Sequence, residues 1–442
     1  MKNYHEIIAE KIRAGENVAL YCCGIQSTHM LFYLEKFYGA VPAVVIDNDP
    51  RKMGTADFGV PVMPFEKARE QFDGLQYFIC SGDYKYTIIG DMLEKGVLPE
   101  QIINYVPVEK RQTCLFFYTY LFVVWGPEFG AHVIRHCNDN SFKPKTQILR
   151  TIVTQQAGKY AHVGKLIDKA FSDFESGAID LCKDCVVNKE QYMVSREYKK
   201  RYRSVVFCQE ACMDCLAHCT YCCVEGNVAG KPQMQINPLE SYRDFVDSVL
   251  PLGQISDDFT CTIVMSERDL DRKIAVFLGS LGKAGLRPLS YEVSSCLLTY
   301  DEHLAELMRQ GRVYVIWSLD AGTRETYRKI KQINAFDNVM KNIRRYIEQD
   351  AFGGKLIVAK YLIVKGINDN EAEFNAFLRV VTDLKLKFIS LSFDFYGKAD
   401  PSDLEFIQNC YQKAEALGLQ LTYKNNSLPV TQALQMNNIL TQ

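Results

Sequence analysis

"CLAHCTYC", residues 215–222, sets three cysteines at C-x3-C-x2-C, with Tyr221 just before the last and Cys223 just after it. A structural zinc ion is ordinarily closed by four protein ligands, most often as two separated C-x2-C pairs. A cubane [4Fe–4S] cluster has four irons and takes cysteine thiolates as its usual ligands. A protein that supplies only three leaves one iron open to a substrate or cofactor. The spacing therefore points to a short loop wrapped round one cluster with a vacancy.

The surroundings of this loop set the fold. "RSVVFC" (203–208) leads into it as a strand, and "FTCTIVM", "PLSYEVSS", "VYVIWSLD", "KLIVAKYLIV" and "FISLSFDF" are later β-rich runs. Helix-like segments separate them: "RKIAVFLGSLGKAG", "DEHLAELMRQG", "AFDNVMKNIRRYIEQD" and "NEAEFNAFLRVVTDLKL". Six strands with intervening helices, none strictly alternating polar and apolar, predict a parallel α/β sheet. Such repeats curl into a full or partial barrel whose chemistry sits at the carboxyl ends of the strands. The cysteine loop follows the first of these strands, where an active site belongs.

The bulk properties narrow the class. A chain of 442 residues exceeds one ordinary core and predicts two or three domains. Hydrophobic residues at 48% with 24% charged describe a soluble globular protein, and a net charge of −2 gives no electrostatic reason to expect nucleic acid or an anionic membrane. The N-terminus lacks an apolar signal-peptide core. The most apolar run, "CLFFYTYLFVVWG" (114–126), is too short to cross a bilayer and reads as a buried or interface helix. A cytoplasmic location follows as the expectation. In a reducing compartment, sixteen cysteines point to metal or catalysis rather than disulfides. Eight of them fall between Cys182 and Cys223, while scattered ones such as Cys80, Cys137 and Cys410 read as small buried hydrophobes.

Residues 1–110 read as an α/β unit. "NVALYCCG" is a strand ending in a turn, "IQSTHMLFYLEKFYG" an amphipathic helix closed by glycine, and "AVVIDNDP" a second buried strand with Asp47 at its end. An acid 23 residues after Gly24 matches the layout of a nucleotide-binding βαβ unit. Only the middle glycine of G-x-G-x-x-G survives, because Cys22 and Ser27 take the flanking positions. Gly24 and Asp47 are thus nucleotide-binding candidates, and the alternative is a docking domain that binds no dinucleotide. Residues 111–195 read as a mostly helical connector carrying "CKDC" (Cys182, Cys185), with "KTQILRTIVTQQ" and "HVGKLIDKAFSDFESG" as its helices. Residues 196–442 form the barrel domain.

Taken together, C-x3-C-x2-C after a first strand, with Tyr221 before the third cysteine, closely resembles the radical S-adenosylmethionine (radical SAM) superfamily. The resemblance implies a partial (β/α)6 TIM-type barrel and a [4Fe–4S] cluster on Cys215, Cys219 and Cys222. It implies that the open iron binds the amino and carboxyl groups of SAM, whose reductive cleavage yields a 5′-deoxyadenosyl radical that abstracts hydrogen. An electron donor such as a flavodoxin or ferredoxin is implied as well. "VYVIWSLDAGTRETYRKIK" resembles the family's fourth-strand segment, placing Ser318 and Asp320 near the SAM ribose, although Asp320 has the alternative of capping the helix near "TRETY". "KYLIVKGINDNEAEF" looks like the fifth strand and its loop, around Lys360 and Asn368. Where the family has Gly-Gly-Glu, this chain has Met265-Ser266-Glu267, keeping the acid but not the glycines. Its third strand ends in Ser294-Ser295-Cys296 instead of Asn-Gly. Tyr221, Ser266, Glu267, Ser295, Ser318, Asp320 and Lys360 are the resulting cofactor-binding candidates. An unpaired lysine in a buried strand is costly, so Lys360 should face the barrel interior or a ligand carboxylate.

A second register, "CQEACMDC", sets Cys208, Cys212 and Cys215 at the same spacing, and Tyr221 favours the first. Cys182, Cys185, Cys208 and Cys212 then remain for a structural zinc or an auxiliary iron–sulfur cluster, or else as unmetallated packing residues. The segment around "VALYCCGIQS" resembles the Rossmann-like domains attached to sugar-modifying enzymes and some methyltransferases, which suggests a small or sugar-linked substrate. A cysteine-rich C-terminal extension of the peptide-modifying relatives is not expected, since only Cys410 follows residue 396. Peptide or protein modification stands as the alternative within the class. A zinc-stabilised binding or scaffold protein stands as the alternative outside it.

Overall fold

Helix α1 (Tyr4–Arg13) opens the chain in a computed structural model that describes residues 3–81, 84–114, 120–126, 131–135, 151–154, 163–178, 188–200, 202–209, 216–221, 253–264, 278, 281–282, 287–393 and 401–423. There follow β1 (Val18–Tyr21), α2 (Ile25–Tyr38), β2 (Val44–Ile46), β3 (Gly54–Thr55), β4 (Pro61–Met63), α3 (Phe65–Gln71), β5 (Gln76–Ile79) and α4 (Lys85–Glu94). The strands pair in the order β3-β4-β2-β1-β5. All neighbours are parallel except β3 with β4. Near-continuous apolar runs such as "VALY" and "VVI" suit strands buried on both faces. Gly39 ends α2 in the left-handed region at φ 58°, where glycine carries no Cβ penalty.

The segment after residue 107 departs from expectation. It forms β6 (Val108–Cys114), β7 (Tyr120–Gly126), β8 (Ala131–Arg135), β9 (Thr151–Thr154), α5 (Val163–Glu175) and β10 (Asn188–Val194). The run 114–126, read as a helix, supplies β7, and part of "KTQILRTIVTQQ" supplies β9. Among the described residues of this segment, Val163–Glu175 within "HVGKLIDKAFSDFESG" is helical as expected. The cause is tertiary: "YLFVVWG" carries β-branched and aromatic residues that lie beside a neighbouring strand, with Val123 opposite Phe207. β6 and β10 pair as an antiparallel ribbon.

The larger sheet continues with β11 (Tyr202–Gln209), β12 (Ile255–Val264), β13 (Ser290–Ser295), α6 (Glu302–Arg309), β14 (Val313–Ser318), α7 (Arg324–Lys331), α8 (Phe336–Gln349), β15 (Ile357–Ile363), α9 (Glu371–Asp383), β16 (Phe388–Phe393), α10 (Pro401–Ala416) and β17 (Gln420–Tyr423). Its order is β17-β16-β15-β14-β13-β12-β11-β7-β8-β9. β11 to β17 run parallel in sequence order, so the six runs read as strands are β11 to β16 and β17 adds a seventh. The molecule is therefore a mixed α/β protein with parallel sheets. Among the described residues, no helix is long and apolar enough to cross a membrane.

Alternate residues of the sheet meet different partners. Val315, Trp317, Ala359, Tyr361, Ile389 and Leu391 join one core with helix residues such as Tyr327, Ile343 and Phe377. On the opposite face Tyr314, Ile316, Val358 and Phe388 pack against Ile25, Phe32 and Tyr33 of α2. The N-terminal unit thus packs on the face of the sheet turned away from α7, α8 and α9. His29 of α2, fully buried there, donates through Nε2 to the Gly311 carbonyl at 2.8 Å. Elsewhere on this seam Lys85 Nζ lies 2.7 Å from Asp258 Oδ2, both side chains 1% exposed. Arg203, Asn104 and Ser256 also donate to that carboxylate.

Candidate active site

The described part of the cysteine loop, residues 216–221, follows the carboxyl end of β11 and is pinned by its backbone. His218 N–H donates to the Lys331 carbonyl at 3.0 Å, and Thr220 N–H donates to the Ile330 carbonyl at 2.9 Å. These are terminal carbonyls of α7, groups that the helix itself leaves without partners. The last turn of α7 therefore holds Cys219 and Tyr221 in place.

Tyr221 enters a buried triad. Its hydroxyl donates to Asp320 Oδ2 at 2.6 Å, while Lys331 Nζ donates to the Tyr221 hydroxyl at 2.6 Å and to Asp320 Oδ2 at 2.5 Å. Lys331 and Asp320 are 0% exposed. Asp320 sits at φ 59°, an uncommon conformation for a side chain with a Cβ, and its contacts explain how it is held. Its N–H donates to the Lys360 carbonyl, its Oδ1 accepts from Leu362 N–H at 2.8 Å, and its carbonyl accepts from Asn368 Nδ2 at 2.9 Å. The alternative of helix capping is overturned. Thr323 caps α7, accepting from Thr326 N–H, and the Asp320 carboxylate is committed elsewhere.

Burial alone would raise the pKa of Asp320, but the Lys331 and Lys360 ammoniums outweigh it and hold the carboxyl below its usual range. Lys331 shows the mirror image: burial opposes its charge, and Asp320 together with neighbouring thiols carries its pKa well up. A hydrogen bond with the Cys296 thiol lowers the Cys219 pKa. Burial opposes this, Lys331 assists, and the net result is about 7. Thiolate is the form that ligates metal, so this environment fits a cluster ligand.

The other candidates divide by where they lie. Cys215, Cys222, Ser266, Glu267, Cys182, Cys185 and Cys212 fall outside the described residues, and Cys208 is described only through its backbone in β11, opposite Val264. Among the described residues no three His, Cys, Asp or Glu side chains stand close enough to hold a metal. Ser295 ends β13, with its Oγ accepting from Leu297 N–H at 2.8 Å. Ser318 ends β14 opposite Lys360, whose ammonium lies 5.6 Å from the centre of the Tyr221 ring. Lys360 therefore shares a face with the cysteine loop. In the N-terminal unit, Gly24 precedes α2. Asp47 Oδ2 accepts from Cys23 N–H at 2.8 Å and from Lys52 Nζ at 3.0 Å, and its Oδ1 accepts from Asp49 N–H. That carboxylate braces the β1–α2 turn.

Sequence reasoning missed three supports of this site. Lys331 closes "RETYRKIK", which looks like a solvated helix, yet Tyr327, Ile330 and Lys331 are buried at i, i+3 and i+4. Only that periodicity marked the lysine as inward-facing. Cys296 was seen merely as a departure from a motif. Glu373 of α9 accepts from Gly322 N–H, Thr323 N–H and Thr323 Oγ1, tying the loop after β14 to α9.

Residues 212–380 match the family model of the radical SAM superfamily. A curated relative, the GTP 3′,8-cyclase of Desulforamulus reducens, is 25% identical over 179 residues, covering 40% of this chain and 52% of that protein. The chain thus spans about half the length of the curated relative it matches. Among solved structures, a radical SAM methyltransferase from Sphaerobacter thermophilus aligns with a TM-score of 0.34 and 16% identity, over 42% of this chain and 56% of that one. Streptococcus suis SuiB bound to S-adenosylmethionine aligns with a TM-score of 0.37 and 10% identity, over 69% of each chain. Members of the superfamily use a [4Fe–4S] cluster and S-adenosylmethionine. The match thus places a radical SAM superfamily domain at residues 212–380 of this chain.

Proposed function

We propose that the cluster sits on Cys215, Cys219 and Cys222, that SAM lies beside Tyr221, Asp320, Ser318 and Lys360 with Ser266, Glu267 and Ser295 on the flanking strands, and that the substrate is a small or sugar-linked metabolite. The observation that carries this reading is the anchoring of Cys219 and Tyr221 on the end of α7, next to a buried lysine–aspartate pair. When bound, the cluster and SAM supply reductive carbon–sulfur cleavage and abstraction of a hydrogen atom. The chain's own residues do the positioning. Lys331 offers a buried ammonium to a carboxylate, and Asp320 is held ionised at the strand ends. Strands β11 to β16 form the partial (β/α)6 barrel, with an N-terminal Rossmann-like unit at 1–110, a connector at 111–195 and the barrel domain at 196–442. The N-terminal unit acts as a docking domain, a reading supported by the engagement of Asp47 within its own turn and by the seam at His29 and Asp258. Cys182, Cys185, Cys208 and Cys212 are proposed as a second metal site. The protein works in the cytoplasm with a small reduced electron carrier. Protein purified without oxygen should be brown and, once reduced, should release 5′-deoxyadenosine from SAM. A colourless, zinc-loaded protein, or a Cys219→Ala variant that still cleaves SAM, overturns the reading. Deuterium transfer from labelled nucleotide sugars into 5′-deoxyadenosine tests the substrate class.

A further inference from the structure

Beyond the residues matched by the family model, β16 carries two serines on one face, Ser390 and Ser392. Both are buried, at 0% and 5% exposure, and neither hydroxyl has a hydrogen-bond partner among the described residues. The strand around them shows where they point. Ile389 and Leu391 belong to the core that includes the barrel helices, so Ser390 and Ser392 share the opposite face with Phe388, which packs on Tyr314, Ile316 and Val358. Register fixes their neighbours: Ser390 lies opposite Lys360, and Ser392 opposite Leu362. Leu362 in turn packs with Tyr221 and Ile330 beneath the cysteine loop. The two hydroxyls therefore face the interior directly below the triad, beside the lysine whose ammonium approaches the Tyr221 ring.

A buried hydroxyl without a partner costs about 1–3 kcal/mol, and two on adjacent positions of one strand face are uncommon in a folded protein. Their α-carbons stand about 6.7 Å apart along the strand. A group with several acceptor oxygens spans such a pair of donors. The charged side chain closest in register is cationic. Glu292 shares this face but sits three strands away, hydrogen-bonded to the Tyr314 hydroxyl. Asp320 is committed to Lys331, Tyr221 and Leu362.

We propose that Ser390 and Ser392, with Lys360 beside them, bind an oxyanion group of the substrate, a phosphate or a carboxylate. They would fix the substrate below SAM on the interior face. The proposal rests on the radical SAM reading for its location, and it names a substrate chemistry that reading leaves open.

The test uses the full chain without SAM or reductant, so its outcome is separate from SAM cleavage. Binding of inorganic phosphate and of acetate is measured in turn, by phosphorus NMR and by calorimetry, for wild type, Ser390→Ala, Ser392→Ala and the double variant. Wild type should bind one of the two probes, with phosphate and acetate distinguishing the two sources of oxyanion. Each alanine should weaken binding tenfold or more. The melting temperature should hold or rise, because removing an unpartnered hydroxyl removes its desolvation penalty. Two binding results overturn the proposal: no binding of either probe, or alanine variants that bind like wild type. A fall in melting temperature in both single variants overturns it too, because it shows that the hydroxyls already have structural partners.

Discussion

Lys331 is the residue on which the site's electrostatics turn. It pairs with Asp320 with neither side chain exposed, and such pairs are costly to break because the remaining charge stays buried. Lys331→Met should destabilise the protein by about 3–5 kcal/mol, read from urea midpoints, and should weaken SAM binding measured by calorimetry on cluster-loaded protein. Unchanged stability would show that Asp320 is neutral in the native state. Tyr221→Phe is milder. It deletes one hydroxyl from the triad and leaves the lysine–aspartate contact in place, so the expected loss is about 1–2 kcal/mol. A larger loss than that of Lys331→Met would make the hydroxyl, not the ion pair, the central bond. At this scale the sequence was partly legible. Tyr221 and Asp320 announce themselves by their place in motifs, and Lys360 by its cost in a buried strand. Lys331 hides in a helix of charged residues, where composition masks periodicity.

The loop after β14 shows how elements, rather than single residues, set the site. Gly322 lies so close to α9 that a Cβ there would stand 2.1 Å from the Phe377 backbone nitrogen, closer than any side-chain rotation can relieve. Two backbone N–H groups of the same loop are held by Glu373. Gly322→Ala must push α9 away from the loop and should cost about 3 kcal/mol or more, comparable to severe overpacking, with Asp320 displaced in consequence. Glu373→Gln should lose less, about 1–2 kcal/mol, since an amide oxygen still accepts from the loop. Thermal melts of the two variants check the order, and the reverse ranking would mean that the carboxylate, not the close approach, sets the loop. Strands β11 to β16 could be read from the sequence because buried parallel strands are short apolar runs between helical repeats. β7 and β9 could not. "YLFVVWG" fits a buried helix as well as a strand by local pattern, and pairing with β11, more than 75 residues away in the chain, decides between them.

At the scale of the molecule, the N-terminal unit and the larger sheet meet over buried titratable groups, and these set how the fold responds to acid. Asp258 is shared by Lys85 and Asn104 from across the seam and by Arg203 and Ser256 of its own sheet. Its burial is outweighed by the Arg203 and Lys85 charges, so its pKa lies far below the usual carboxylate value. No composition or spacing in the sequence links residue 85 to residue 258, because the contact exists only after both units have folded. His29 gives the cleaner test. Burial, only partly offset by its bond to the Gly311 carbonyl, lowers its pKa from 6.5 to about 4, and Arg312 adds to the effect. Between these values the unfolded chain binds a proton that the folded chain refuses, so stability falls as pH drops from about 6.5 towards 4. Each unit of displacement is worth about 1.4 kcal/mol, which sets a ceiling of roughly 3.5 kcal/mol for this ring. His5, which lies beside it and is displaced downward mainly by burial, adds to the same slope. His29→Gln keeps a donor for Gly311 but cannot titrate. Urea midpoints at pH 7 and pH 4.5 should therefore converge in the variant relative to wild type, leaving the part due to His5 and to the carboxylates. An equal loss on acidification in both proteins would mean that the His29 ring is reached by water in the native state, and that the seam opens before it protonates.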